Sequence, residues 1–200
     1  MYTSTVLDVT IASEFVMTVM PLVRFDRDAT SIRAVIPTPM GGHIGMSGFP
    51  GLVSDLDGTP CIDPSHAHET LTGLKDVGAD TVIILTEESE LPKDAFPIVS
   101  DIAKEAGLSL VFMSIEDYSV PSSTFMAAWR ERQQENHRVL ASGSTLALCC
   151  QYGAGRSGLV AAMLLVEAGM TPGDAIALVR QHFDEAIEND DQENWLYNLG

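Results

Sequence analysis

The sequence predicts an α/β fold: a central, mostly parallel sheet flanked by helices. Two observations predict it. Short apolar runs at 81–85, 108–113 and 145–149 alternate with longer stretches that have helical composition. Those longer stretches begin and end on recognisable cap, proline and glycine signals. Residues 31–37 read as a first strand, and 41–51 is glycine-rich and turn-like, with a short strand near Ile44. Asp63-Pro64 opens a helix, Asp as N-cap and Pro in the first position, running to about Val77 and stopped by Gly78. A second helix spans 94–106, with Pro97 tolerated in its first turn, and ends at Gly107. Ser122 or Ser123 caps a long helix reaching about Leu140. After the strand at 145–149, helices are predicted at 156–168, 172–184 and 190–198, the middle one opened by Thr171-Pro172. Residues 1–30 stay unassigned: the apolar run at 15–23 fits neither the helical nor the strand period.

Two hundred residues are enough for one domain with a proper core, and 46 % hydrophobic content is ordinary for a globular chain. A net charge of −17 argues against nucleic acid and against anionic membrane surfaces as partners. Any anion site must be locally positive within this acidic whole. Three cysteines, two of them adjacent, make no disulfide framework, which points to a reducing cytoplasmic setting. Neither 15–23 nor 159–170 is long enough to span a bilayer, and no basic residue precedes the first.

The chemistry concentrates at 150–158, Cys-Gln-Tyr-Gly-Ala-Gly-Arg-Ser-Gly, between the strand at 145–149 and the next helix. Ligands of such sheets bind beyond the carboxyl ends of the strands, where Cys150 lies. The N–H groups of Gln151, Tyr152, Gly153, Ala154, Gly155 and Arg156 can converge on an anion, with the helix N-terminus adding positive potential. The same field favours a thiolate at Cys150. Arg156 offers a planar fork matched to two phosphate oxygens. Together these groups point to attack of sulfur on phosphorus.

Cys-x5-Arg-Ser in this strand–loop–helix setting resembles the cysteine-dependent protein tyrosine and dual-specificity phosphatases, above all the kinase-associated-phosphatase type. The similarity extends over about 40–197: Gly48-Phe49-Pro50-Gly51, Gly78-Ala79-Asp80, Leu85-Thr86-Glu87-Glu88 and the late Ala186-Ile187-Glu188 with Gln192. The family's acid loop resembles Pro-Ile-x-Asp-x-x-x-Pro, and Ile115, Asp117 and Pro121 match it, with Ser114 in place of the first proline. The resemblance implies a single phosphatase domain, 1–200, that hydrolyses phosphomonoesters through a cysteinyl-phosphate. Asp117 would protonate the leaving oxygen and then activate water, Ser157 would stabilise the departing sulfur, and Gln192 would place the hydrolytic water. It implies no metal and no cofactor. The substrate would be a phosphorylated protein or a small phosphomonoester, and the lack of lysine in the loop disfavours inositol lipids. Two departures stand out. Cys149 replaces the histidine that precedes the nucleophile, and Phe183-Asp184 stands where relatives have Arg-Pro.

Competing motifs are weaker. Asp55-Leu56-Asp57-Gly58-Thr59 resembles the nucleophile motif of Mg²⁺-dependent aspartyl phosphatases of the haloacid-dehalogenase type, but the preceding 49–54 is poor strand material. His66 and His68, two apart on a helix, do not share a face for a metal. Strand alternation sends the Cys149 and Cys150 side chains to opposite faces, against a vicinal redox pair. A phosphate-binding module without turnover is the remaining alternative.

Overall fold

The computed structural model describes Asp26 and residues 29–199, so the apolar run at 15–23 lies outside the described residues. A five-stranded sheet is built from β1 (Ile32–Pro37), β2 (His43–Ser47), β5 (Ala79–Ile84), β6 (Ser109–Phe112) and β7 (Thr145–Cys149), in the order β1-β2-β7-β5-β6. Only β1 runs antiparallel to its neighbour; β2–β7, β7–β5 and β5–β6 are parallel. β7 is therefore central, and all five of its residues are buried, as an apolar run covered on both faces requires.

Helices α1 (Pro64–Asp76) and α2 (Ala95–Glu105) cover one face. The other face carries α3 (Ser123–Ala141), α4 (Gly155–Glu167), α5 (Pro172–His182) and α6 (Asp190–Tyr197). The predicted caps work as expected. Asp63 accepts from the N–H groups of Ser65 and His66, Ser122 from Phe125, and Thr171 from Asp174. α4 is buried along Gly155–Leu165, so it is the axis of the larger core rather than an amphipathic surface helix. On that side α3 is tied to α4 through Glu167, which accepts from Trp129 Nε1 at 2.9 Å and meets His137 Nε2 at 2.8 Å.

One sequence expectation is corrected. Leu52–Ser54, within the stretch rejected as strand material, forms β3 and pairs antiparallel with β4 (Pro60–Ile62) in a separate two-stranded ribbon. The turn between them is 55–59. Asp55 accepts the N–H groups of Asp57 and Thr59 at 2.9 and 2.8 Å, and Gly58 supplies the left-handed position, φ +81°. The Asp-x-Asp-Gly-Thr motif is thus a closed hairpin tip, with the Asp55 carboxylate spent on its own turn. Among the described residues no group of three or more His, Cys, Asp or Glu side chains is placed to hold a metal.

Candidate active site

The loop after β7 keeps its shape because neighbouring elements hold its carbonyls. Cys149 O accepts from Leu85 N–H at 2.7 Å, Gln151 O from Phe49 N–H at 3.0 Å, and Tyr152 O from Arg33 Nε at 2.9 Å. Cys150 N–H is spent on Ser47 O at 3.2 Å. By contrast, no acceptor among the described residues takes the N–H groups of Gln151, Tyr152, Ala154, Gly155 or Arg156. Gly153 N–H points at Cys150 Sγ, 3.1 Å away. A row of unspent amides around a sulfur at a helix N-terminus is an anion cradle.

Gly153 is required here twice over. Its φ is +97°, and a Cβ would lie 2.5 Å from Gly48 N and 2.6 Å from the Ser47 carbonyl carbon. Gly153→Ala is expected to open the loop, at a cost of at least about 1–3 kcal/mol from backbone strain alone. The measurements are a lowered thermal midpoint and weakened tungstate binding; a variant with wild-type values for both would remove this requirement.

Cys149 and Cys150 part company as expected. Cys149 belongs to the core on the α1–α2 side and donates its thiol to Gly48 O at 3.3 Å; Cys150 faces the α3–α6 side. Burial, and then the neighbouring Cys150, push the Cys149 thiol well up, with Arg156 pulling weakly the other way. Ser157 Oγ is fully buried without a hydrogen-bond partner among the described residues, one turn below the thiol's loop.

Arg156 departs from the expected geometry. Its Nη1 and Nη2 donate to Glu90 Oε1 and Oε2 at 2.6 and 2.7 Å, a fork-to-fork pair. Nη1 also reaches Ile115 O at 3.0 Å, and Nη2 lies 3.0 Å from Asp117 Oδ1. Both terminal nitrogens are thus engaged by Glu90, and neither Glu90 nor Asp117 takes the Nε–H. Burial pulls the guanidinium down, but the Glu90 hydrogen bonds and the charges of Cys150, Glu90 and Asp117 outweigh it and keep it firmly protonated.

Glu90 was not legible in the chain. It ends a 3₁₀ turn, Glu88–Glu90, closed by a capping box in which Glu87 N–H donates to Glu90 Oε1 at 2.7 Å. A Glu-Glu-Ser-Glu run otherwise reads as solvated charge, and the spacing of the box is the only local signal.

Asp117 and Glu116 both leave the β6 end of the sheet, and Asp117 is the one that reaches Arg156. The next residue, Tyr118, sits in the left-handed region at φ +56°. Asn189 Nδ2 holds Tyr118 O at 2.9 Å, and Gln192 Nε2 approaches Ser119 O at 3.4 Å. Gln192 is fully buried, and its amide is taken up further by Glu188: Glu188 N–H donates to its Oε1 at 3.1 Å, and its Nε2 donates to Glu188 Oε1 at 3.2 Å. The late loop therefore presents Glu188, not Gln192, to the cradle. Glu188 entered the sequence reading only as part of Ala-Ile-Glu, with no role.

Comparisons with known proteins bear on the family and the fold. The sequence matches the family described as "Swiss Army Knife protein, DSP-PTPase phosphatase domain" over residues 59–196. It is 30 % identical over 116 residues to the human protein tyrosine phosphatase type IVA 3, an alignment spanning 58 % of this chain and 62 % of that protein. The fold is similar to that of kinase-associated phosphatase with its catalytic-site cysteine replaced by serine, at TM-score 0.65 and 22 % identity, covering 82 % of this chain and 92 % of that one. It is also similar to Tk-PTP in its active form, at TM-score 0.58 and 22 % identity, covering 85 % and 98 % respectively. Since the matched region runs from β4 to α6 and includes the whole cradle, the chain belongs to the DSP-PTPase phosphatase domain family.

Proposed function

We propose that this chain is a protein-tyrosine or dual-specificity-like phosphatase, a single catalytic domain that hydrolyses phosphomonoesters through a cysteinyl-phosphate. The observation that carries the reading is the cradle: unspent amides from Gln151 to Arg156 around the Cys150 sulfur, at the start of a buried helix. Sulfur attacks phosphorus, the P–S bond forms, and the ester P–O bond breaks. The equatorial oxygens are held by the amides of Gln151, Tyr152, Gly153, Ala154, Gly155 and Arg156 and by the free edge of the Arg156 guanidinium. An arriving phosphate takes Nη2 from Asp117, and the released carboxylate, once it has taken up a proton from solvent, delivers that proton to the leaving oxygen. Ser157 Oγ, otherwise without a partner, supports the sulfur as it departs in the second step. No metal takes part in this chemistry.

The natural substrate class we assign is a phosphorylated protein side chain, with small aryl phosphates as surrogates. Half-exposed Tyr152, stacked under Arg33 at 4.7 Å, forms one wall beside the cradle and suits an aromatic ester. Three free cysteines fit a reducing compartment. No helix among the described residues is long and apolar enough to cross a membrane.

The test is turnover of nitrophenyl phosphate with and without chelator, and with vanadate. Activity that survives chelation and is blocked by vanadate is expected; activity that needs Mg²⁺ and is lost in Asp55→Asn would overturn the reading. Asp117→Asn is expected to lower the rate roughly 10²–10⁴-fold. The loss is larger for an alkyl phosphate than for nitrophenyl phosphate, whose leaving group departs without a proton. Equal losses for the two esters would deny Asp117 its role as acid.

A further inference from the structure

The mouth of the cradle is lined by a second carboxylate that the reaction as described leaves unused. A Cβ built on Gly155 would fall on the Glu188 carboxylate, so Glu188 lies directly against the first residue of α4. It sits close enough to Asp117 and Arg156 for both to act on its charge. Its carboxylate is partly buried against α4 and Gln192, yet the residue is still reachable by solvent, as a group that meets an incoming water must be.

The backbone bends out of its usual range to put it there. Ile187, the residue before, has φ +60°, a conformation a β-branched side chain strongly disfavours. The strain is held by Arg180, which donates Nε to Ala186 O at 3.2 Å and Nη2 to Ile187 O at 3.0 Å. It is accommodated by Gly158, where a Cβ would meet Ala186 Cβ at 2.8 Å and Ile187 N at 3.0 Å. Tyr118, beside Asp117, is the other non-glycine residue in this region among the described residues. So the two strained positions each adjoin one of the two carboxylates at the mouth, and Asn189 and Gln192 tie the two loops together. Backbone held in this region is a reason to look for a role at the residue it places.

We propose that Glu188 is a second catalytic residue, the general base for the water that hydrolyses the cysteinyl-phosphate, with Gln192 as the residue that positions it. The proposal rests on the cysteinyl-phosphate reading above. It divides between two carboxylates the two proton transfers that the family resemblance gave to Asp117 alone. In this step the water oxygen forms a new P–O bond as the P–S bond breaks, and the bonding pair leaves on Cys150 Sγ as thiolate. The water proton passes to the Glu188 carboxylate, inorganic phosphate departs, and Glu188 returns the proton to solvent.

The charged groups around Glu188 are Asp117 from the acid loop and Arg156 from α4, with Arg180 of α5 paired to Glu193 at 2.9 Å on the far side of the turn. Burial first, and the charge of Asp117 after it, push the Glu188 carboxyl up, while the Gln192 hydrogen bond and Arg156 pull it down. A base must be ionised, so dephosphorylation speeds up as pH rises through its pKa. The upward shift moves that limb above the ordinary carboxylate range.

The experiment is acid-quench mass spectrometry of the full chain turning over nitrophenyl phosphate, with burst kinetics across pH. Glu188→Gln keeps an acceptor for Gln192 Nε2 but cannot take a proton. It is expected to form phosphorylated Cys150 at the wild-type rate, to lose roughly 10²–10⁴-fold in its decay, and to lose the rising pH limb of that decay. Glu188→Asp, which keeps a carboxylate, is expected to retain the limb at a reduced rate. Gln192→Ala is expected to slow decay while keeping the limb. Wild-type decay in Glu188→Gln, or equal slowing of formation and decay in a folded variant, would overturn the assignment to Glu188 and leave the cysteine mechanism standing. Turnover in Cys150→Ser, with no phosphocysteine in any variant, would overturn both.

Discussion

Cys150→Ser is expected to abolish turnover while the protein still binds tungstate, the largest effect of any single substitution in this chain. A hydroxyl holds its proton far more tightly than a thiol, so serine at this position presents no anionic nucleophile near neutral pH. The oxygen is also smaller, and Gly153 N–H, 3.1 Å from the sulfur, is left reaching for it. The amides of the cradle are backbone and survive the change, which is why anion binding persists. Loss of a nucleophile costs on the order of 10⁵-fold or more in comparable covalent catalysts. Residual activity that depends on Mg²⁺ would return attention to Asp55, even though its carboxylate closes a hairpin turn. A wild-type protein that binds tungstate without turning over any phosphate ester would make the domain a binding module.

Arg156→Lys is expected to be nearly as severe although the charge is kept. The guanidinium is 2 % exposed and satisfies Glu90, Ile115 O and Asp117 at once. An ammonium has no planar fork: it can meet Glu90 or the phosphate edge but not both in the required geometry. A loss of about 10³-fold in kcat is expected, as for removal of a preorganised oxyanion donor. Arg156→Ala adds a folding penalty of about 3–5 kcal/mol, because Glu90, its side chain 13 % exposed, is left as an unpaired buried charge. Glu90→Gln separates the two effects: it frees the fork but keeps Arg156, so binding should suffer less than in Arg156→Lys. A lysine variant with near-normal kcat would remove Arg156 from the transition state.

The cradle was legible in the sequence because it is contiguous. Nucleophile, amides, arginine and the partnerless Ser157 all fall within eight positions, and the strand before and helix after are set by short-range apolar runs and caps. Asp117 entered through the resemblance of Ile115, Asp117 and Pro121 to the family's acid loop; the strand before it ends on the same sheet edge as β7, which by itself does not separate it from Glu116. Four features were not legible. Glu90 meets Arg156 across 66 positions and Glu188 meets Gly155 across 33, and neither contact has a local pattern. The pairing of Nη1 and Nη2 of Arg156 with Glu90 has no partner signal in the sequence either. Gln192, to which the resemblance gives the placing of the hydrolytic water, is buried, with its amide shared between Glu188 and the acid loop.

What the sequence by itself determined is the succession of the main strands and helices, though not the β3–β4 ribbon, and the chemistry of one loop, since apolar period, caps and turn glycines act over a few residues. It also determined the opposite facing of Cys149 and Cys150, which follows from the two-residue period of a strand. The tertiary structure alone decided how the charges are shared. In a chain of net charge −17, which carboxylates approach the buried Arg156 guanidinium cannot be read from composition. It depends on the 3₁₀ turn at Glu88–Glu90, on left-handed Tyr118 and Ile187, and on the glycines of α4 that let the late loop close in. Each of these places a side chain through packing between segments far apart in the chain, and catalytic geometry is sensitive to displacements of about 1 Å.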